Sequence, residues 1–87
     1  MPAGAQAAVV RFTEYFIRIR ARPDRAGIRD EWLERAIREP VREAIQSDGR
    51  LQRRVRIPEM ENRYLRVILL ADGETVHNAF FDRGFVE

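Results

Sequence analysis

Two apolar runs near the end of the chain flank a short turn signature. Residues 63–70 (RYLRVILL) and 75–83 (TVHNAFFDR) are rich in Val, Ile, Leu and Phe, and Asp72-Gly73 lies between them. An Asp-Gly pair supplies the positive φ that tight hairpin connections need. The pattern therefore predicts a central β-hairpin. This hairpin carries the only histidine of the chain, His77, so we expect any binding or reactive surface to lie on it.

The middle of the chain changes from a helical period to an alternating one. Residues 41–46 and 50–57 place successive side chains on opposite faces of a strand, and Ser47-Asp48-Gly49 between them is typical of a turn. The second of these strands contains four arginines and no acidic residue. Residues 58–62 then form a loop. Together with the central hairpin, the pattern predicts a four-stranded antiparallel meander.

The first half of the chain predicts two helices. A helix is expected from residue 14 to about residue 22, with Thr13 as its N-cap and Pro23 as its stop. Its apolar positions fall at helical spacing: Phe12, Phe16 and Ile19. Residues 9–12 fit either a short strand or the lead into this helix.

A second helix is predicted between the loop at residues 23–27 and Pro40. Its apolar face is formed by Ile28, Trp32, Leu33, Ala36 and Ile37. Acidic side chains at Asp30 and Glu31 fall in its first turn, where the helix dipole favours negative charge. Pro40 ends it, because proline cannot continue the backbone hydrogen bonds.

The chain of 87 residues predicts one small domain over residues 9–87, preceded by a flexible tail over residues 1–8. The predicted fold class is α+β, with the two N-terminal helices packed on one face of the four-stranded antiparallel sheet. No segment has the pattern of a secretory signal or the length of a membrane span. We therefore expect a cytoplasmic protein without a membrane partner.

Composition excludes several kinds of chemistry. All 16 basic residues are arginine, so Schiff-base formation and lysine-dependent phosphate binding are ruled out. Without cysteine there is no disulfide or thiol nucleophile. The only serine, Ser47, is explained by its turn. The acidic residues are scattered rather than clustered, so we expect neither a metal site nor a cofactor.

The basic strand and its neighbour are the predicted RNA-binding surface. Arginine forks suit phosphates and base edges, and an aromatic ring can stack on a base. The residues assigned to this role are Arg50, Arg53, Arg54 and Tyr64. The alternative is that the arginines form ordinary surface ion pairs with Glu43, Glu59 or Glu61.

The last strand offers a possible general acid or base. His77 titrates near neutrality, and arginines could stabilise the charge that develops during phosphodiester cleavage. His77 and Arg83 are expected to share one alternation of this strand, and Phe80 and Phe81 to place one ring on each face of the sheet. The alternative for His77 is a structural histidine that is satisfied by Asp72 or Glu74.

The chain also resembles a known group of proteins. The helix that ends at Pro40, the Asp48-Gly49-Arg50 turn, residues 63–67 and residues 74–83 are together similar to the small domains grouped with BrnT and the RelE/ParE toxins, which are bacterial and phage-borne. The resemblance covers about residues 12–83. It implies a RelE-like fold of helices on a sheet, a cognate antitoxin partner and metal-independent cleavage of RNA, in some members at the ribosome.

The resemblance implies catalytic residues by type and approximate place in the sheet. These are Arg56, Arg66, His77 and Arg83. The predicted function is therefore a toxin-like domain of a type II toxin–antitoxin system that acts as an RNA endonuclease. The alternative is a non-enzymatic interaction module of the same fold, which binds a protein partner through the sheet or through the helix that carries Trp32.

Overall fold

The computed structural model describes residues 10–85, so the tail predicted for residues 1–8 lies outside the described residues. The described part has two helices and five strands. In chain order the elements are β1 (Arg11–Phe12), α1 (Glu14–Ile19), α2 (Asp30–Arg38), β2 (Arg42–Ile45), β3 (Leu51–Ile57), a 3₁₀ turn (Pro58–Met60), β4 (Arg63–Leu69) and β5 (Thr75–Asp82). The α+β fold class is confirmed.

The sheet differs from the prediction at one edge. Its strand order is β1-β5-β4-β3-β2, in which β2 to β5 form the predicted antiparallel meander. The short β1 adds a fifth strand that runs parallel to β5. The expectation of a purely antiparallel four-stranded sheet was therefore wrong, because a strand of two residues is too short to show a period of its own.

Both predicted helices form. The Thr13 hydroxyl accepts the backbone N–H of Phe16 at 3.1 Å and caps α1, as its position predicts. Helix α1 ends at Ile19 rather than near Arg22, because the N–H groups of Ala21 and Arg22 bond to carbonyls only three residues back and the chain continues as tight turns before Pro23. Within residues 10–85 no helix is long and apolar enough to cross a membrane.

The core lies between the helices and one face of the sheet, as predicted. The α1 residues Phe16 and Ile19 and the α2 residues Trp32, Leu33 and Ala36 are buried there. They pack against a sheet layer formed by Val55, Ile57, Leu65, Val67, Leu69, Val76 and Ala79. The opposite side of the sheet has no helix over it in the described part of the chain. We call this side the open face.

The open face carries most of the polar chemistry. The alternation of the strands places on it Arg42 and Ala44 of β2, Gln52, Arg54 and Arg56 of β3, Tyr64, Arg66 and Ile68 of β4, and Asn78, Phe80 and Asp82 of β5. The helix-facing side of β3 instead includes Arg53, which is flanked by the partly buried Leu51 and the buried Val55.

A β-bulge changes the alternation of β5 at His77. Ile68 pairs with Asn78, but the next residue, Leu69, pairs with Val76, so His77 is the extra residue. The prediction that His77 and Arg83 share one alternation of this strand was therefore wrong. Downstream of the bulge, Phe80 and Phe81 take opposite faces as predicted. Phe81 contacts Trp32 with ring centroids 6.1 Å apart.

Candidate nucleic-acid interface

A shallow depression of about 280 Å³ lies on the open face beside the turn between β2 and β3. Its lining combines aromatic, cationic and hydrogen-bonding side chains: Tyr15, Gln46, Arg50, Arg66, Ile68, His77, Asn78 and Phe80. We call it the His77 cleft. It depends on the bulge, because the extra residue in β5 brings His77 to the same lining as Asn78. Without the bulge, consecutive side chains would point to opposite faces.

His77 is held in the cleft by two contacts. Its Nδ1 lies 3.2 Å from the Thr13 hydroxyl, and its ring stacks on Tyr15 with centroids 4.9 Å apart. Burial lowers the pKa of His77, nearby Arg50 lowers it further, and Asp48 acts in the opposite direction. The imidazole is therefore neutral at pH 7 and able to accept a proton.

The alternative that treats His77 as a structural histidine names the wrong partners, Asp72 and Glu74. Asp72 does not satisfy the histidine, because its carboxylate accepts the backbone N–H groups of Glu74 and Thr75 and the hydroxyl of Thr75. These bonds close the hairpin turn and lower the pKa of Asp72. The partner of His77 is Thr13, which precedes it by 64 residues in the sequence.

Asp82 organises the arginines at the centre of the open face. Arg66 donates to Asp82 Oδ2 from Nε at 3.1 Å and from Nη2 at 2.6 Å, and Arg54 donates to the same oxygen from Nε at 3.1 Å. The Asp82 side chain is only 11% exposed. The hydrogen bonds from Arg66 first, and from Arg54, hold the pKa of Asp82 below its ordinary value. Sequence reasoning missed this role of Asp82.

Phe85 lies beyond the last strand and covers a second part of the open face. Its ring meets the Tyr64 ring edge-on at a centroid distance of 5.0 Å. The guanidinium carbons of Arg54 and Arg42 lie 4.6 Å and 5.6 Å from the Phe85 centroid. Arg42 and Phe85 were also missed by sequence reasoning, since nothing in the pattern shows that the chain returns over the sheet after β5.

The predicted RNA-binding residues separate into two groups. Arg50 lines the His77 cleft, and Arg54 and Tyr64 lie on the open face. Arg53 lies on the other side of the sheet, where it bonds to Glu43 and donates to the Ile37 carbonyl at 2.9 Å. The surface ion-pair alternative thus describes Arg53.

Arg50 and Arg54 also form ion pairs, but with acids that the alternative did not name. Glu59, one of its proposed partners, is engaged by Arg35 of α2 through two hydrogen bonds. The acidic partner of Arg54 is Asp82, and that of Arg50 is Asp48 at 3.4 Å. Neither acid was among the predicted partners.

The four predicted catalytic residues do not form a single cluster. Arg66 and His77 line the same cleft. Arg56 pairs across the sheet with Tyr64, nearer the other end of β4. Arg83 follows the end of β5 and lines surface depressions with Arg63, away from the cleft. Only Arg66 and His77 can therefore act on the same group of a ligand.

The open face is positively charged. Arg42, Arg54, Arg56 and Arg66 oppose one carboxylate, Asp82, which leaves a net charge of +3 from these side chains. No group of three His, Cys, Asp or Glu side chains within residues 10–85 is arranged to hold a metal ion. Arginine is thus the cation that this surface offers to a phosphate.

Comparisons with protein-family models, with curated proteins and with solved structures each find no match to this chain. They do not test the resemblance to the BrnT and RelE/ParE toxins, which stays a prediction. The function is accordingly argued from the residues of the chain itself.

Proposed function

We propose that this chain is a toxin-like domain of a type II toxin–antitoxin system that cleaves RNA without a metal ion. One observation carries the proposal: a neutral histidine and two arginines, His77, Arg50 and Arg66, line one cleft on a positively charged sheet face. Phosphodiester cleavage needs a proton acceptor beside cations that stabilise negative charge on the phosphate. The His77 cleft combines both.

The proposed reaction is an internal transfer at phosphorus. His77 removes the proton of a ribose 2′-hydroxyl, the 2′-oxygen bonds to phosphorus, and the bond from phosphorus to the 5′-oxygen breaks. The products are a 2′,3′-cyclic phosphate and a 5′-hydroxyl, with the proton returned to the leaving 5′-oxygen from the imidazolium or through water. Arg50 and Arg66 stabilise the charge on the phosphoryl oxygens in the transition state.

The contact with Thr13 is compatible with the form of His77 that this reaction needs. A base must carry its lone pair on Nε2, which requires the hydrogen on Nδ1. In that tautomer Nδ1–H donates to Thr13 Oγ1, 3.2 Å away. The same oxygen accepts the N–H of Phe16, and a hydroxyl oxygen has lone pairs for both bonds.

Arg66 keeps donors for a ligand although it is bound to Asp82. A guanidinium has five N–H groups, and two of them point to Asp82. Its plane also lies over Phe80, with the guanidinium carbon 5.3 Å from the ring centroid. These contacts fix the orientation of the side chain before a ligand binds.

A second candidate is the non-enzymatic interaction module. The exposed edge strand β2 favours it, because Ile45 at its end is 74% exposed and Val41 just before it is 41% exposed. An edge strand with apolar side chains is a surface to which an extended segment of a partner protein can pair. Trp32 itself is 3% exposed and belongs to the core, so binding through its helix would use the exposed side of α2 and stays a prediction.

The test compares cleavage by variants inside and outside the cleft. Purified protein is incubated with an RNA oligonucleotide and with translating ribosomes, and products are analysed for a cyclic phosphate. His77→Ala and Arg66→Ala are each expected to lower the cleavage rate by a factor of about 10²–10⁴. Arg83→Ala, outside the cleft, is the matched control and should cleave normally. Circular dichroism checks that each variant is folded.

Absence of cleavage by the folded parent protein on both substrates would reject the enzyme. Equal losses in the Arg83→Ala control would reject the His77 cleft as its location. If induced expression also fails to arrest growth, the interaction module becomes the better account.

A further inference from the structure

The contacts around Phe85 resemble those that a protein makes to an unpaired nucleobase. The Arg54 guanidinium carbon lies 4.6 Å from the ring centroid, and Tyr64 meets the ring edge-on at an interplanar angle of 70°. Arg42 approaches the same ring at 5.6 Å. Flat aromatic rings and guanidinium planes are the groups on which proteins stack single-stranded bases. We call the site bounded by Arg42, Arg54 and Tyr64 the aromatic slot.

The surroundings of the aromatic slot suit the backbone of a nucleic acid. Arg56 of β3 pairs with Tyr64 of β4, so both residues lie on the open face. It is exposed, and within residues 10–85 no acceptor contacts its guanidinium. A phosphate beside a base in the slot would therefore meet a cation that has no competing partner in the described part of the chain.

Phe85 is held in the slot by its ring rather than by its backbone. It follows β5, which ends at Asp82, and within residues 10–85 its backbone groups make no hydrogen bond. The last backbone anchor in the described chain before it is the N–H of Gly84, which donates to Asp82 Oδ1 at 3.1 Å. Within residues 10–85, moving the ring out therefore breaks ring contacts but no strand pairing.

We propose that the aromatic slot binds a nucleobase of single-stranded RNA and that Phe85 occupies it as an internal competitor. Phe85 and the two residues before it then act as a strap that the RNA must displace. The inference rests on the proposed function in taking RNA as the ligand. It goes beyond that function because the slot is separate from the His77 cleft and binds a base rather than reacting with a phosphate.

The test measures the affinity of Phe85→Ala for two fluorescent probes of equal charge. One is an RNA of twelve uridines, and the other is a strand with the same number of phosphates but no bases. Phe85→Ala should bind the uridine probe about fivefold more tightly than the parent, which corresponds to the lower end of base-stacking energies, about 1 kcal/mol. The affinity for the baseless strand should not change.

Two further variants control for the fold and for the slot. Phe85→Leu keeps an apolar side chain at the position and is expected to give a smaller gain, which preserves the test if Phe85→Ala is poorly folded. Tyr64→Ala in the Phe85→Ala background removes one wall of the slot and should abolish the gain.

The other outcomes overturn the inference in distinguishable ways. An equal gain for the baseless strand would show that Phe85 only shields the arginines from phosphates. Unchanged or weaker binding of the uridine probe would show that Phe85 does not compete with a base. A gain only for an acidic peptide that contains an aromatic residue would place a protein partner in the slot. If neither parent nor variant binds the uridine probe, the slot is rejected, and the proposed RNA function is judged separately by the cleavage assay.

Discussion

Arg54 and Arg66 lie directly opposite each other on β3 and β4 and donate to the same carboxylate oxygen. Like charges at opposing positions of an antiparallel pair destabilise a sheet. Asp82 on the next strand reverses that effect, because its charge lies between the two guanidinium groups. The arrangement of the open face therefore depends on one acidic side chain.

Asp82→Asn should lower the free energy of unfolding by about 1.5–3 kcal/mol, the usual contribution of hydrogen bonds to charged groups. Asparagine keeps the size of the side chain but leaves the two arginines without a counter-charge. Urea unfolding measures the change. Asp30→Asn, at an ion pair that is 63% exposed on its acidic side, is the matched control and should change stability by less than about 1 kcal/mol. Equal losses in the two variants would contradict the role of Asp82.

The stability of the protein should fall as the pH drops below about 6.5, the ordinary pKa of histidine. The pKa of His77 is lowered by burial and by Arg50, so the unfolded chain binds this proton more readily than the folded one. The loss is complete once the pH passes below the folded pKa. Urea midpoints at pH 7.5 and 5.5 measure it, and His77→Gln should show a shallower decrease over this interval. Identical pH dependence in both proteins would exclude a lowered pKa.

Arg53 and Arg56 are close in sequence but face opposite sides of the sheet, and they should respond differently to alanine substitution. Arg56→Ala should weaken RNA binding and reduce the salt dependence of the affinity by about 0.7 in logarithmic slope, the value for one phosphate contact on a single strand. Arg53→Ala should leave that slope unchanged. It should instead lower stability, because it removes the bonds to Glu43 and to the Ile37 carbonyl. Salt titrations of binding, combined with urea unfolding, distinguish the two.

Cleavage of RNA should persist after metal ions are removed. In the proposed reaction Arg50, Arg66 and His77 supply the charge stabilisation and proton transfer that a magnesium enzyme obtains from its ion. The protein is dialysed against EDTA and assayed with an RNA oligonucleotide in the same buffer. Activity that disappears with EDTA and returns with magnesium would contradict the proposed chemistry.

Substitutions of Trp32 measure how much the core contributes to the free energy of unfolding, because Trp32 lies in the core and not in the His77 cleft. Trp32→Ala should cost about 3–5 kcal/mol, because it removes a large buried ring from between α2 and the sheet. Trp32→Phe should cost substantially less, since it retains an aromatic contact with Phe81 and removes an indole N–H that is buried without a hydrogen bond of normal geometry in the described chain. Equal losses in the two variants, measured by urea unfolding, would contradict this expectation.

The acidic group near the Trp32 indole is Glu59. Its pKa is lowered first by the hydrogen bonds from Arg35, and the nearby indole of Trp32 also contributes. Glu59→Gln combined with Trp32→Phe would then give a non-additive loss of stability, as expected for two groups that interact.

The sequence predicts the parts of the fold that have a repeating pattern. Helix α2 and the hairpin of β4 and β5 were both recognisable, because apolar spacing and the Asp72-Gly73 turn are local signals. The Gly73 φ of 73° agrees with the conformation expected of that turn. Strand β1 was recognisable only as one of two alternatives, since its pairing with β5 is decided by residues distant in the sequence.

The candidate site was predicted less well than the fold. Arg66 and His77 were identified by residue type, but their common cleft depends on a bulge that one extra residue in β5 creates. Strict alternation would have placed His77 on the helix-facing side of the sheet, with Ala79 and Phe81. The bonds of Asp82 and the position of Phe85 follow from cross-strand geometry and from the path of the chain after β5, neither of which has a local signal in the sequence.

The loop between the helices contacts one edge of the sheet through Arg25. Strand β1 covers β5 only at Thr75 and Val76, so the remaining outer edge of β5 lacks a neighbouring strand in the described chain. Arg25 donates from Nε to the Ala79 carbonyl on this edge at 2.9 Å. Unpaired edges allow copies of a protein to join into larger assemblies, and a cation at the edge prevents a second strand from docking there. We therefore expect the single guanidinium of Arg25, which takes no part in either candidate RNA site, to hinder strand pairing between copies along this edge of β5.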